Sequence, residues 1–241
     1  RDHCVTGVQT CALPIWSGYR HPRLGIPVHS LYGEHRKPTA EMLDGIDVLF
    51  LDLVDVGARY YTFIWTMLLC LEACSELGIP FVVADRPNPI NGVTKEGRPQ
   101  EPDYLSFVGL HPLPIRHGKT IGELAAWFCQ EKFPATDLTV LPFSGWERSH
   151  FFDETGLPWV MPSPNMPTLD TAIVYPGMCL FEGTNVSEGR GTTRPFEFFG
   201  APWIDGVKLT SYLNQAGLPG VHFREAAFEP GFQKFQGEVC R

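Results

Sequence analysis

Apolar and polar positions along this chain switch between two periods. Residues 47–53 (DVLFLDL) form a continuous apolar run of strand length, the pattern of a strand buried on both faces. Tyr60 to Leu77 carries apolar positions at helical spacing and stops at Gly78, a residue suited to a helix C-terminus. Pro80 to Ala84 (PFVVA) reads as a second buried strand. Thr120 to Phe133 reads as a further helix, with Thr120 as N-cap and Glu123 three residues on, the spacing of a capping box. Leu138 to Leu141 is a third strand. A short helix is expected over Pro38 to Leu43, a helix over Val207 to Gln215 and a strand over Val221 to Phe228, with a long loop from Asp85 to about Pro114.

This strand–helix–strand rhythm predicts an α/β fold, a Rossmann-like open parallel sheet with crossover helices. The pattern changes after about Gly200. We therefore expect a Rossmann-like domain over 16–200 and the start of a smaller auxiliary α+β domain over 201–241. Residues 1–15 (RDHCVTGVQTCALPI) share no pattern with the rest of the chain and read as an adapter-derived sequencing artefact. The sequence stops at Glu238-Val239-Cys240-Arg241, straight after a strand-like region. The expectation is a fragment cut at both ends, with an incomplete sheet.

Composition narrows the function classes. Hydrophobic residues are 44% and charged ones 19%, a soluble globular balance. The net charge of −8 argues against a broad nucleic-acid-binding face. No apolar run approaches the roughly 20 residues that span a bilayer. The 22 prolines and 24 glycines gather in short polar stretches, which suggests long shaped loops on a scaffold. The seven cysteines lack C-x-x-C or Cys/His ligand spacing, so they read as buried free thiols; no zinc or other metal site and no cofactor is implied.

The densest chemistry lies in Phe181 to Arg194 (FEGTNVSEGRGTTR), which holds two carboxylates, two guanidiniums, an amide and several hydroxyls among its glycines. Glycines allow close backbone approach to a ligand, and arginine forks suit carboxylate or phosphate. Open α/β sheets bind ligands beyond the carboxyl ends of their strands. Two further polar loops fall there: Asp55 to Thr62 after the first strand, and Asp85-Arg86-Pro87-Asn88-Pro89 after the second. These loops are expected side by side on one rim. Neither carries G-x-G-x-x-G, so nucleotide binding lacks its key feature. Pro162 to Thr168 is a proline-bracketed loop that can fix Asn165 for hydrogen bonding. Trp146, Trp159, Tyr175 and Phe181 offer either sugar-stacking faces or core. His111 and His117 have no partner in sequence and read as structural.

Several strings carry a resemblance: DVGARYYTFIWTM, DRPNPINGV, SFVGLHPLPIRHGKTIGELA, PSPNMPTLDTAIVYPG and CLFEGTNVSEGRGTTRPFEFFGAPWI. From about Gly18 to Cys240 the chain resembles the bacterial exo-β-N-acetylmuramidase family. The resemblance implies a Rossmann-like domain joined to a smaller one. It also implies a glycoside hydrolase that removes N-acetylmuramic acid from the non-reducing ends of peptidoglycan fragments. Its partners would be muropeptides and amino sugars, and the full-length protein would be exported, periplasmic or extracellular. The family's Gly-Pro-Glu-His-Gly motif, with its proposed acid, precedes the region of resemblance, so the principal catalytic glutamate is expected to be missing and the fragment inactive. Glu34-His35 is not assigned that role.

Glycoside hydrolysis needs an acid for the leaving oxygen and a second group for the oxocarbenium-like centre. Glu182, Glu188 and Asp55 are the candidates for the second carboxylate, with Asp85 also considered. Glu182 and Glu188 alternatively bind hydroxyls or pair with Arg190 and Arg194. Arg59, Arg86 and Arg190 are candidate readers of the lactyl carboxylate. Tyr61, Asp85, Asn88, Asn165, Asn185 and Thr192 complete the expected substrate-binding set. Two other classes stay open: a non-catalytic carbohydrate- or muropeptide-binding module, and a nucleotide-sugar transferase on a Rossmann scaffold.

Overall fold

Three parallel strands carry the larger unit of the computed structural model, which describes residues 18–241. The expectation for residues 1–15 lies outside the described residues. By contacts the chain divides into Arg1–Ser163 and Pro164–Arg241. The expected change of domain near 200 thus differs from the contact division, because the segment from 164 to 200 packs with residues 201–241.

In the first unit, β1 (Tyr19–Arg20) and β2 (Pro27–Val28) pair antiparallel as a small hairpin. β3 (Leu49–Leu51), β4 (Phe81–Ala84) and β5 (Leu138–Leu141) form a parallel sheet in that order, with Leu49 level with Phe81 and Phe81 level with Leu138. Helix α1 (Phe63–Leu77) joins β3 to β4, and α2 (Ile121–Lys132) lies between β4 and β5. Consecutive crossovers of one hand place both helices on the same face. There Leu51, Phe81 and Val83 meet Trp65, Leu71, Leu124 and Phe128 in one core. Burying a side chain of this size contributes about 1.5–3 kcal/mol each. The opposite face differs from the two-sided burial expected for residues 47–53: Phe50 is 54% exposed and Val48 48%.

The helix ends follow local chemistry. The Thr120 hydroxyl accepts from Glu123 N at 3.1 Å while Glu123 Oε2 accepts from Thr120 N at 3.0 Å, the expected capping box. Gly78 closes α1 in the left-handed conformation. Helix α1 begins at Phe63 and not at Tyr60, because residues 55–62 are held as a rim loop. Pro38 to Leu43 forms only turns; six residues provide too few hydrogen bonds to offset helix nucleation.

The second unit contains α3 (Leu169–Met178), a 3-10 turn over Cys179–Gly183 and α4 (Gly206–Gln215). The sequence pattern places no element over Leu169–Met178, where a proline, Pro176, lies inside the helix; Thr168 caps it by accepting from Thr171 N at 3.2 Å. The strand expected over Val221 to Phe228 is absent. The Asn214 side chain takes both Phe223 N and Phe223 O at 2.8 Å, so a side chain satisfies that backbone in place of a neighbouring strand. A single bridge between Phe228 and Cys240 remains.

Candidate functional site

Each unit gathers its own polar cluster. In the first, the loops beyond β3 and β4 are neighbours, as expected, because their strands pair directly. Arg86 Nε donates to Asp52 Oδ1 at 2.6 Å and ties the two loops together; this bond holds the Arg86 pKa above its ordinary value. Asp85 lies under the start of α2. Its Oδ1 accepts from Gly122 N at 2.7 Å and Arg86 N at 2.9 Å, and its Oδ2 accepts from the Thr120 hydroxyl at 3.0 Å. Burial nevertheless outweighs these donors and raises its pKa. Asp85 is therefore a helix-start anchor in this geometry. Asn88 is similarly engaged: its amide donates to Lys119 O at 2.9 Å and its oxygen accepts from Ile90 N at 3.1 Å.

Asp55 and Arg59 do not pair with each other. Arg59 Nη1 donates to the carbonyls of Arg98, at 3.0 Å, and Leu113. Burial lowers its pKa. Asp55 instead meets His117, whose Nε2 is 3.1 Å from Asp55 Oδ2, and both side chains are buried. The same oxygen accepts from Gly57 N at 2.8 Å. Gly57 has φ +80°, and a Cβ there would lie 2.5 Å from Asn88 Oδ1, so this turn needs glycine both for conformation and for space. Tyr61, on the same loop, is buried; burial and the Asp55 charge push its phenol well up.

The second cluster is the 182–194 loop with its supports. Arg190 points Nε and Nη2 at Glu182 Oε1, at 3.0 and 2.5 Å, and its Nε lies 3.5 Å from Glu188 Oε1. Its guanidinium also sits 4.8 Å from the centre of the Phe196 ring. Glu188 is only 2% exposed, and Lys234 Nζ reaches its Oε2 at 3.1 Å. The ammonium also donates to the carbonyls of Phe181, Glu182 and Val186. The result is an alternating chain of charges, Glu182–Arg190–Glu188–Lys234, inside which each ion has an opposite neighbour. Arg194 pairs with Glu197, which in turn accepts from the Thr171 hydroxyl at 2.7 Å. Thr192 donates to Gly189 O at 2.6 Å, Asn185 is exposed, and Asn165 is buried at the approach to α3.

The aromatic candidates divide in the same way. Tyr175 packs edge-on to Phe196, and Phe181 stacks on Phe199; Trp146 donates to His150 O, and Trp159 meets Phe152. His111 packs edge-on against Trp127 and Phe128. Sequence reasoning missed His117 as the partner of Asp55 and Lys234 as the partner of Glu188. They stand 62 and 46 residues away from those carboxylates, with no spacing motif to link them. Among the described residues no cluster of three His, Cys, Asp or Glu side chains could hold a metal ion, and no helix is long and apolar enough to cross a membrane.

Residues 2–170 match the family described as exo-beta-N-acetylmuramidase NamZ, N-terminal, and residues 173–241 match its C-terminal counterpart. A curated relative, the peptidoglycan beta-N-acetylmuramidase NamZ of Bacillus subtilis (strain 168), is 54% identical over 239 residues, which is 99% of this chain and 58% of the relative. This chain therefore spans less than two thirds of that relative's length. Two solved structures of DUF1343 family proteins from Bacteroides fragilis NCTC 9343 share the fold. One has a TM-score of 0.86 at 40% identity, covering 92% of this chain and 58% of its own; the other has 0.73 at 32%, covering 90% and 57%.

Proposed function

The chain belongs to the exo-β-N-acetylmuramidase NamZ family, and from that premise we propose that it serves the exo-acting removal of N-acetylmuramic acid from the non-reducing ends of peptidoglycan fragments. The observation that carries the reading is the 54% identity to a peptidoglycan β-N-acetylmuramidase across nearly the whole chain. The rim loops beyond β3 and β4 support it, since open α/β sheets place ligands there.

In this reading Asp55 is the second carboxylate, and Glu182 and Glu188 act as internal counter-ions that shape the 182–194 loop. Arg190 is the lactyl reader, because its planar fork already holds a carboxylate, that of Glu182, and a second such group can take its place. Asn88 and Asp85 hold the rim rather than touching sugar. The general acid is assigned to none of the carboxylates described. Asp85, whose pKa is raised, has its oxygens occupied by the start of α2, and Glu188 is held between two cations. Export of the full-length protein to the periplasm or exterior belongs to the same proposal, because its substrate lies in the cell wall.

Release of free N-acetylmuramic acid from a chromogenic muramide tests the activity. Binding of N-acetylmuramic acid without release is expected for these 241 residues. Robust turnover would overturn the assignment of the acid, and activity that required an added sugar nucleotide would favour a transferase. Arg190→Ala should weaken N-acetylmuramic acid by about tenfold or more while sparing N-acetylglucosamine, as expected for loss of a charge-assisted hydrogen bond.

A further inference from the structure

The second unit holds an open groove between two runs of backbone. Ala201 N donates to Arg241 O and Arg241 N to Ala201 O, each at 3.3 Å. On the other side, Phe228 and Cys240 exchange both backbone bonds, at 3.1 and 2.8 Å. Such mutual exchange marks antiparallel neighbours. Cys240-Arg241 therefore lies between the run that ends at Ala201 and the run that ends at Phe228, antiparallel to both. A Cβ at Gly200 would overlap Arg241 O, so this line is packed as closely as glycine allows.

In line with Arg241 the groove opens. The backbone N–H and C=O groups of Phe199, Arg224 and Ala226 form no hydrogen bond among the described residues. Phe223 turns its own N–H and C=O to Asn214 of α4. Successive residues of an extended run face opposite ways, so Arg224 and Ala226 face the groove together with Phe228. No turn or bend interrupts residues 221–227. The floor is α4: Leu209 and Leu213, with Phe198 and Phe228, help to enclose about 60 Å³. A benzene ring fills an apolar cavity of about 150 Å³, so a sugar ring is too large for this space and one small aliphatic side chain is not.

We propose that this groove seats one further β-strand, supplied by polypeptide that continues from Arg241 as part of the greater length of the relatives, and that the strand runs antiparallel to both walls. The alternation sets its register. The first residue after Arg241 pairs with Ala226, the second with Phe199 and the third with Arg224, and one small apolar side chain of the strand enters the cavity over α4. An unpaired strand edge is a template for such addition. A separate peptide taking the same donors would set its own terminus against Arg241, whereas continuing chain enters without that conflict. The curated relative and both solved structures are longer than this chain, so the length for such a strand exists in them. The inference is independent of the glycosidase reading.

The test compares the 241-residue chain with the same chain extended after Arg241 by the segment that follows the matched region in the Bacillus subtilis relative. Amide hydrogen exchange is read residue by residue. In the extended chain the N–H groups of Phe199, Arg224 and Ala226 should exchange more slowly by about a hundredfold or more. Those of Glu225 and Ala227, which face away from the groove, should slow far less. Ala226→Pro removes one N–H that faces the groove. It should leave the urea midpoint of the 241-residue chain nearly unchanged and remove most of the gain in midpoint that the extension brings. Unslowed exchange at Phe199, Arg224 and Ala226, or equal slowing at Glu225 and Ala227, overturns the proposal. So does an extended chain no more stable than the 241-residue one. If Ala226→Pro does not fold, the exchange pattern decides.

Discussion

Lys234 Nζ stands 3.1 Å from Glu188 Oε2 although 46 residues separate them in sequence. The same ammonium holds three carbonyls of the segment from Phe181 to Val186, so one side chain closes the acidic loop and neutralises its buried carboxylate. Glu188 is thereby fixed from both sides, by Lys234 and by Arg190.

Lys234→Met should therefore destabilise the protein by about 2–3 kcal/mol, somewhat below the range for breaking a fully buried pair because Lys234 is partly exposed. Adding Glu188→Gln should recover part of that loss, since the buried carboxylate left with Arg190 as its remaining cation is gone. Urea denaturation of the two single variants and the double variant measures the coupling; strictly additive losses would mean that the pair is energetically independent.

Gly122→Ala tests the seat of Asp85. Gly122 is the second residue of α2, where alanine gains less over glycine than the roughly 1 kcal/mol of a helix interior. Here the added Cβ would lie 2.6 Å from Asp85 Cγ. Overpacking of this kind costs about 1–3 kcal/mol, so a net destabilisation is expected. Asp85→Ala in the same chain should relieve only part of that cost, because Val140 Cγ1 would still lie 2.7 Å from the added Cβ, and denaturation midpoints of the four-member cycle read it out.

Asp85 also predicts a pH dependence. Burial raises its folded pKa above the unfolded value, so the folded state holds the proton more tightly. As pH rises from below the ordinary carboxylate pKa to above the raised one, the unfolded chain ionises first and stability falls. Wild type minus Asp85→Asn should therefore be largest at the acidic end of that window and decline through it. A difference that grows with pH would reverse the sign.

Cys70 and Cys74 are buried and Cys179 is half-buried, and all three thiols should be inert in the native protein. Burial pushes Cys74 and Cys179 up to about 12, and Cys70 is raised further. At pH 8 almost no thiolate forms at these sites. Iodoacetamide followed by peptide mapping should leave Cys70, Cys74 and Cys179 unmodified in buffer and label them fully in denaturant. Rapid native labelling of Cys179, which is half-buried, would show that its raised pKa does not protect it.

Local signals sufficed for the elements whose chemistry is near in sequence. Thr120 and Glu123 announced the start of α2 three residues apart, Gly78 announced the end of α1, and Leu138–Leu141 matched its strand residue for residue. The same locality made the polar rim legible, because loops that follow paired parallel strands must adjoin. Where local signals conflicted with packing, the sequence misled. Pro176 disguised α3, and the apolar character of Val221 to Phe228 suggested a strand that Asn214 replaces by capping Phe223.

By itself, the sequence determined the α/β class, the family and the inventory of charged and amide groups near the loops, since periodicity, capping and rare strings all act over a few residues. Tertiary structure alone decided which of those groups are engaged. Arg59 turns to carbonyls, Asp85 to a helix start, Glu188 to Lys234 and Asp55 to His117. These are contacts between residues dozens of positions apart. Their choice depends on how the chain packs, because a buried ion takes the donor that folding brings within reach.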